Sequence, residues 1–175
     1  MKKDDTHERD EKEPGNLDEM YGLLGEFDTA MLVTVTADEM VRARPMALQD
    51  HEDVADCDLW FVTEAETPKC KEIEHDRNVG VVCLRNRDSA YLSISAEAEI
   101  VRDRALIHRL WKPDWKAWFP NGPDEESLAI IKLRVQRAEY WEPEGGRMRV
   151  LYEVVKALLK GERADAHMNP PKTIQ

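Results

Sequence analysis

Hydrophobic and polar positions change period several times along the chain, and each change marks an element. Leu17, Met20, Tyr21 and Leu24 recur at helical spacing behind Asn16, a residue suited to an N-cap, so a short amphipathic helix is expected up to about Gly25. The apolar, β-branched run at 29–36 (TAMLVTVT) and the run at 40–48 (MVRARPMAL) are separated by ADE and read as a hairpin. Pro45 cannot donate to a ladder, which puts the second strand at an edge or a bulge. Residues 58–64 (DLWFVTE) form a third strand, and Thr67, Pro68 and Lys69 open a helix. NVGVVCL (78–84) is a fourth strand. In 90–101, Leu92, Ile94, Ala96, Ala98 and Ile100 alternate with Tyr91, Ser93, Ser95, Glu97 and Glu99, so one face of a fifth strand is core. Residues 102–111 read as helix and 112–127 as a Pro- and Gly-punctuated loop dense in aromatics. Ile131, Leu133 and Val135 then alternate with Lys132, Arg134 and Gln136 in a sixth strand that continues to Trp141. Met148, Leu151, Tyr152, Val155, Leu158 and Leu159 make a final helical stripe before Gly161. Six short-spaced strands with inserted helices predict a closed or partly closed antiparallel barrel rather than a parallel sheet.

Composition bounds this picture to one domain: 175 residues, 42% of them hydrophobic, supply one core and leave little for a second. The folded part is expected over 16–160, between a charged, mobile tail at 1–15 and a polar tail at 161–175. The chain has no apolar run long enough for a membrane span and no secretory pattern at its start, which points to the cytoplasm. A net charge of -11 argues against nucleic acid, whose binding relies on Lys and Arg replacing counterions. The acidic excess is read as an ordinary solvated surface, with a saline habitat as the lesser alternative. Cys57, Cys70 and Cys83 are odd in number and unpaired in spacing, so reduced, mostly buried thiols are expected rather than disulfides or zinc. The five histidines are scattered, and the acidic loop QDHEDVADCD lacks the glycine and terminal glutamate of a calcium loop, so no metal site is expected.

Nucleotide-binding GxGxxG, Walker, GxSxG and HExxH patterns are all missing from the sequence. What remains is Arg44 on a strand and Lys69 in the first turn of a helix, two groups able to hold one phosphate. Trp118, Phe119 and Trp141 are able to stack on a flat ring. By residue type and spacing alone, surface charges and core aromatics are the favoured reading of the two sets.

Taken in order, TAMLVTVT, RARPMAL, LWFVTEAETPKCKEI, NVGVVCL, YLSISAEAEIVRDRALIHRLW, WKAWFPNGPDEE and EYWEPEGGRM resemble the pyridoxamine phosphate oxidase-related split-barrel family, and within it the general stress protein 26 group. The resemblance covers about 17–160. It implies a six-stranded antiparallel split β-barrel with peripheral helices and a flavin mononucleotide at a homodimer interface, with flavin adenine dinucleotide as a second possibility. Arg44 and Lys69 match the residues that grip the phosphate. Met46, Ala47 and Leu48 match the strand beside the isoalloxazine ring, Val62 and Thr63 the pair before the helix that Pro68 opens, and Trp141 the tryptophan contributed by the partner subunit. Trp118 and Phe119 lie in a loop able to close over the ring, and Tyr91 stands where the vitamin oxidases have glutamine. Those oxidases end the arginine strand in lysine where this chain has Gln49. After EYW they require a pattern that Arg147 fits but Arg149 and Leu151 break, so pyridoxamine phosphate is not the expected substrate. The glycine common in the long strand is Ala96 here. The resemblance thus implies a stress-related, flavin-dependent oxidoreductase acting on an unidentified small molecule. A non-catalytic flavin-binding or buffering protein, or a deazaflavin- or haem-binding relative, stands as the alternative.

Overall fold

The structure is a computed structural model that describes residues 17–27, 29–50, 53–54, 56–87, 89–141 and 172–174. Helix α1 (Leu17–Leu24) ends as expected at Gly25 and buries Met20 and Leu24 against the sheet. The strands are β1 (Ala30–Val35), β2 (Val41–Met46), β3 (Leu59–Glu64), β4 (Asn78–Arg85), β5 (Ala90–Val101), β6 (Leu128–Trp141) and β7 (Lys172–Ile174). Helix α2 (Pro68–His75) joins β3 to β4, and α3 (Arg104–Leu110) with two 3-10 turns (Pro113–Ala117 and Gly122–Asp124) joins β5 to β6. All pairings are antiparallel, in the order β2-β1-β4-β5-β6-β3, and the short β7 pairs with β6. The sheet curls into a half-barrel, the mainly β architecture expected. The β7 strand was not anticipated, because three residues carry no usable period.

Strand β2 pairs only with β1, so Pro45 sits on an edge where its missing N–H is harmless. The alternation in β5 holds from Ala90 to Ala98. Ala96 turns inward into the main core cluster. A β-bulge shifts register between Ser95 and Ala96, opposite Arg137 and Val135, so Gln136 is the extra residue. That shift moves the buried face of β6 from Ile131 and Leu133 to Ala138 and Tyr140. The main cluster fills the concave side with Leu32, Phe61, Ile73, Val81, Leu92, Ile94 and Leu133.

A second cluster packs the opposite face of β3 and β6: Trp60, Leu106, Ile107, Leu110, Trp115, Phe119, Leu128 and Ile130. The RDR segment explains how it is held. Asp103 accepts from the Ala105 and Leu106 backbone N–H groups at 2.9 and 3.2 Å and caps α3. Arg104 donates to the carbonyls of Glu125 at 2.7 Å and Leu128 at 2.5 Å, anchoring the far end of the aromatic loop. Among the described residues, no helix is long and apolar enough to cross a membrane.

Candidate functional site

Helix α2 packs on the concave side of β1 and β5, so its start faces the end of β2 across the turn that leaves β3. Thr67 occupies the N-cap position, but its hydroxyl makes no cap; it turns back to donate to the Glu64 carbonyl at 2.8 Å. Pro68 takes the first helical position, as expected. Between these elements and the aromatic loop opens a cavity of about 480 Å³, within the range of small-molecule sites. Met46, Ala47, Val62, Thr63, Lys69, Trp118 and Phe119 all line it. Seven of the twelve expected contact residues, from four separate segments, are therefore brought to one basin.

The walls differ in stiffness. Trp115 is buried between Trp60 and Trp111, with edge-on ring contacts at centroid distances of 6.0 and 5.8 Å. Phe119 is buried beside it. Trp118, by contrast, is 72% exposed at the lip. Sequence reasoning passed over Trp115 as one of several loop aromatics, and its helical-turn spacing of four from Phe119 is the signal that would have found it.

Arg44 is beside this basin rather than among its lining residues. On β2, Arg42, Arg44 and Met46 face inward, while Val41, Ala43 and Pro45 face out. The Arg44 side chain is only 20% exposed. Its Nη1 donates to Thr34 Oγ1 at 2.5 Å and to the Leu32 carbonyl at 3.4 Å, and Nη2 donates to Glu72 Oε2 at 2.6 Å. Glu72, whose side chain is 7% exposed, also accepts from Thr34 Oγ1 at 2.5 Å and from Arg42 Nη1 at 3.2 Å. Burial alone would raise its pKa; the Thr34 and Arg44 hydrogen bonds and the two guanidinium charges outweigh that and hold it below the ordinary glutamate value. Lys69 is half-buried. Desolvation lowers its pKa, and the positive charge of Arg44 pushes the same way.

Four expected contacts lie elsewhere. Leu48 lines a hollow with Tyr21, Leu24, Phe27 and Leu59. Tyr91 and Trp141 face each other across the β5–β6 ladder. Pro68 is exposed at the helix start without lining the basin. Arg147, Arg149 and Leu151, the expected helical stripe near 148–159 and the tail at 1–15 fall outside the described residues. Cys70 and Cys83 are buried and Cys57 half-buried, all as free thiols; desolvation pushes Cys83 up to about 12 and Cys57 to about 11.

Comparison with known proteins decides the family, because the pattern described as "Pyridoxamine 5'-phosphate oxidase like" matches residues 16–165, most of the chain. The chain belongs to the pyridoxamine 5'-phosphate oxidase-like family. Within this family's reach, the protein bli-3 of Neurospora crassa is 29% identical over 106 residues, covering 56% of this chain and 50% of the relative, so the match spans only half of that protein's length. The general stress protein 26 of Bacillus anthracis str. Sterne shares the fold with a TM-score of 0.58 at 23% identity, over 71% of this chain and 92% of that one. A pyridoxamine 5'-phosphate oxidase-related, FMN binding protein of Nostoc punctiforme PCC 73102 aligns with a TM-score of 0.52 at 14% identity, over 72% and 80%. Both solved structures speak to the oxidase-like fold.

Proposed function

We propose that this chain is a flavin-binding protein that holds flavin mononucleotide in the cavity between β2, β3 and α2, with its phosphate between Arg44 and Lys69. The observation that carries the reading is Lys69 in an aromatic-walled basin with the part-buried Arg44 beside it. Lys69 lines the cavity together with Glu64, Arg44 lies beside it, and the buried Glu72 is already shared among Arg42, Arg44 and Thr34. Two such cations are unfavourable together until an anion joins them, and a dianionic phosphate suits them. The residues present therefore fit the group, and the FMN-binding relative of the same fold supports it.

In this reading Met46, Ala47, Val62 and Thr63 line the ring's face, Trp115 and Phe119 form its rigid back wall, and Trp118 covers its open side. A bound flavin would supply hydride or electron exchange at ring N5, and the protein's part is to bind, orient and exclude water. The reacting partner is a small molecule, and the protein acts as a stress-related oxidoreductase of the cytoplasm, where free thiols persist. A homodimer completes the site. Val41, Met31, Val82 and Leu84 form an exposed apolar band across β2, β1 and β4, the kind of patch that marks an interface, and a second copy would bring its Trp141 and Tyr91 to the ring.

The absorbance spectrum of the protein as purified tests the cofactor: a flavin band with phosphate-dependent retention supports it, and a haem or deazaflavin spectrum overturns it. Loss of the yellow band on adding NADH or NADPH supports the oxidoreductase. Persistence of the band with either nucleotide favours a second reading, a flavin store shielded by the exposed Trp118. Light scattering that finds a flavin-loaded monomer would contradict the dimer.

A further inference from the structure

The most unusual buried group near the site is Glu72, which no sequence pattern singled out. It lies on α2, one turn after Lys69, and its neighbour Ile73 shows that this helix face buries aliphatic side chains readily. Burying a carboxylate costs free energy that an ion pair seldom recovers in full, so stability alone is a weak reason for it. Its hydrogen bonds close a ring. Arg44 Nη1 donates to Thr34 Oγ1, Thr34 donates to Glu72 Oε2, and the same Oε2 accepts from Arg44 Nη2. A planar guanidinium tied at both terminal nitrogens to one closed ring has a fixed plane. Glu72 Oε1 accepts from Arg42, so neither carboxylate oxygen is free to turn toward an incoming anion. Arg44 Nε–H and the second Nη2 hydrogen are left as the donors for that anion.

We propose that Glu72 is a positioning residue for phosphate recognition: with Thr34 it locks the Arg44 guanidinium in the orientation that, together with Lys69, selects a flavin carrying a phosphate over one without. The inference rests on the flavin reading above. Positive charge stays in excess after Glu72 is counted, because Arg42, Arg44 and Lys69 face Glu72 and the rim residue Glu64.

The test uses the full chain and two ligands, flavin mononucleotide and riboflavin, with dissociation constants read from quenching of flavin fluorescence. Wild type is expected to prefer the phosphorylated flavin. Glu72→Gln should cut that preference about tenfold, the equivalent of one charge-assisted hydrogen bond, while riboflavin affinity stays within about twofold. Thr34→Val changes no charge and little volume; it should cut the preference in the same direction by about threefold, the scale of one neutral hydrogen bond. An unchanged or increased preference in Glu72→Gln overturns the proposal, since loss of a mere counter-charge would strengthen phosphate binding. Equal weakening of both ligands overturns it too, as the mark of a structural role. Should Glu72→Gln fail to fold, Thr34→Val decides alone, and an unchanged preference there is a refutation. A wild type that binds neither flavin overturns the functional reading itself, and this inference with it.

Discussion

Two hollows in the same curled sheet invite comparison. The cavity at the start of α2 has Lys69 in its lining and Arg44 beside it, and a second hollow of about 280 Å³ over β5 and β6 gathers three basic side chains of its own. In the second, Asp56, Cys57, Arg77, Glu97, Glu99, Lys132 and Arg134 form the lining, three bases against three acids. Lys132 Nζ is 2.7 Å from Asp56, Arg77 Nε is 3.3 Å from Glu97, and the register sets Arg134 opposite Glu97 and Lys132 opposite Glu99. Such cross-strand pairs are how a solvated sheet face satisfies itself. At the first cavity Lys69 and Glu64 are the charged lining residues, and Arg42 and Arg44 behind them share Glu72, so three bases meet two acids; the walls include Met46, Val62, Trp115 and Phe119. A cluster of cations is therefore uninformative by itself. Cations left in excess beside an apolar, aromatic wall are what mark a place for an anionic ring compound.

The strongest way to break this contrast is to remove cations from each hollow in turn. Arg44→Ala with Lys69→Ala should lower affinity for flavin mononucleotide by a hundredfold or more, since contacts to a charged group are worth about 1.5 to 3 kcal/mol each. Arg77→Ala with Lys132→Ala should leave that affinity unchanged in the same fluorescence titration. Equal losses in both variants would erase the distinction. Next in size is the wall. Trp115→Ala removes a buried ring held by two others and should cost about 3 to 5 kcal/mol of folding stability by denaturant titration. Trp118→Ala, three residues away and exposed, should leave stability within about 0.5 kcal/mol while raising the solvent accessibility of bound flavin to iodide quenching.

The two hollows also differ in how far the sequence foretold them. Strand periods, the edge position of Pro45 and the Pro68 helix start were legible because each depends on local sterics and alternation. The joint role of Arg44 and Lys69 was suggested only through resemblance, since a lone Arg and Lys look like any surface pair. Glu72 was invisible: KCKEIEH reads as a solvated helix, and its burial follows from α2 lying against Thr34 and Arg44, contacts across more than 25 residues. The bulge at Gln136 was hidden for a similar reason, because Val135 and Ala138 are both apolar and the slip shows only against β5.

The titration of the cavity sharpens the contrast further. Burial, with Arg44 adding to it, lowers the pKa of Lys69, so the free protein loses this charge at a lower pH than an ordinary lysine would. Anion binding favours the ammonium form. Flavin affinity should then decline as pH rises through the Lys69 pKa, and Lys69→Arg should remove the decline; on the acid side the ligand's own phosphate loses its second charge at about pH 6. Glu72 acts at the other end. Its folded-state pKa is depressed, so its contribution is complete above the ordinary value of 4.5 and is lost as pH falls through the depressed one. Calorimetric titration of flavin binding should show that alkaline decline, and a flat profile there would remove Lys69 from the site.

The smallest effects belong to the balanced hollow, and their smallness is the point. Asp56 is well exposed and Lys132 keeps Glu99 opposite it in register when the Asp56 charge is removed. Asp56→Asn should therefore cost no more than about 1 kcal/mol, the usual worth of a solvated pair. Cys57 in the same lining is held up to about 11 by desolvation, so at neutral pH it is a thiol and should alkylate slowly with iodoacetamide, before and after the substitution. Rapid alkylation of Cys57 at neutral pH, followed by mass spectrometry, would mean that this hollow also carries uncompensated positive charge, and the contrast between the two hollows would then rest on their walls alone.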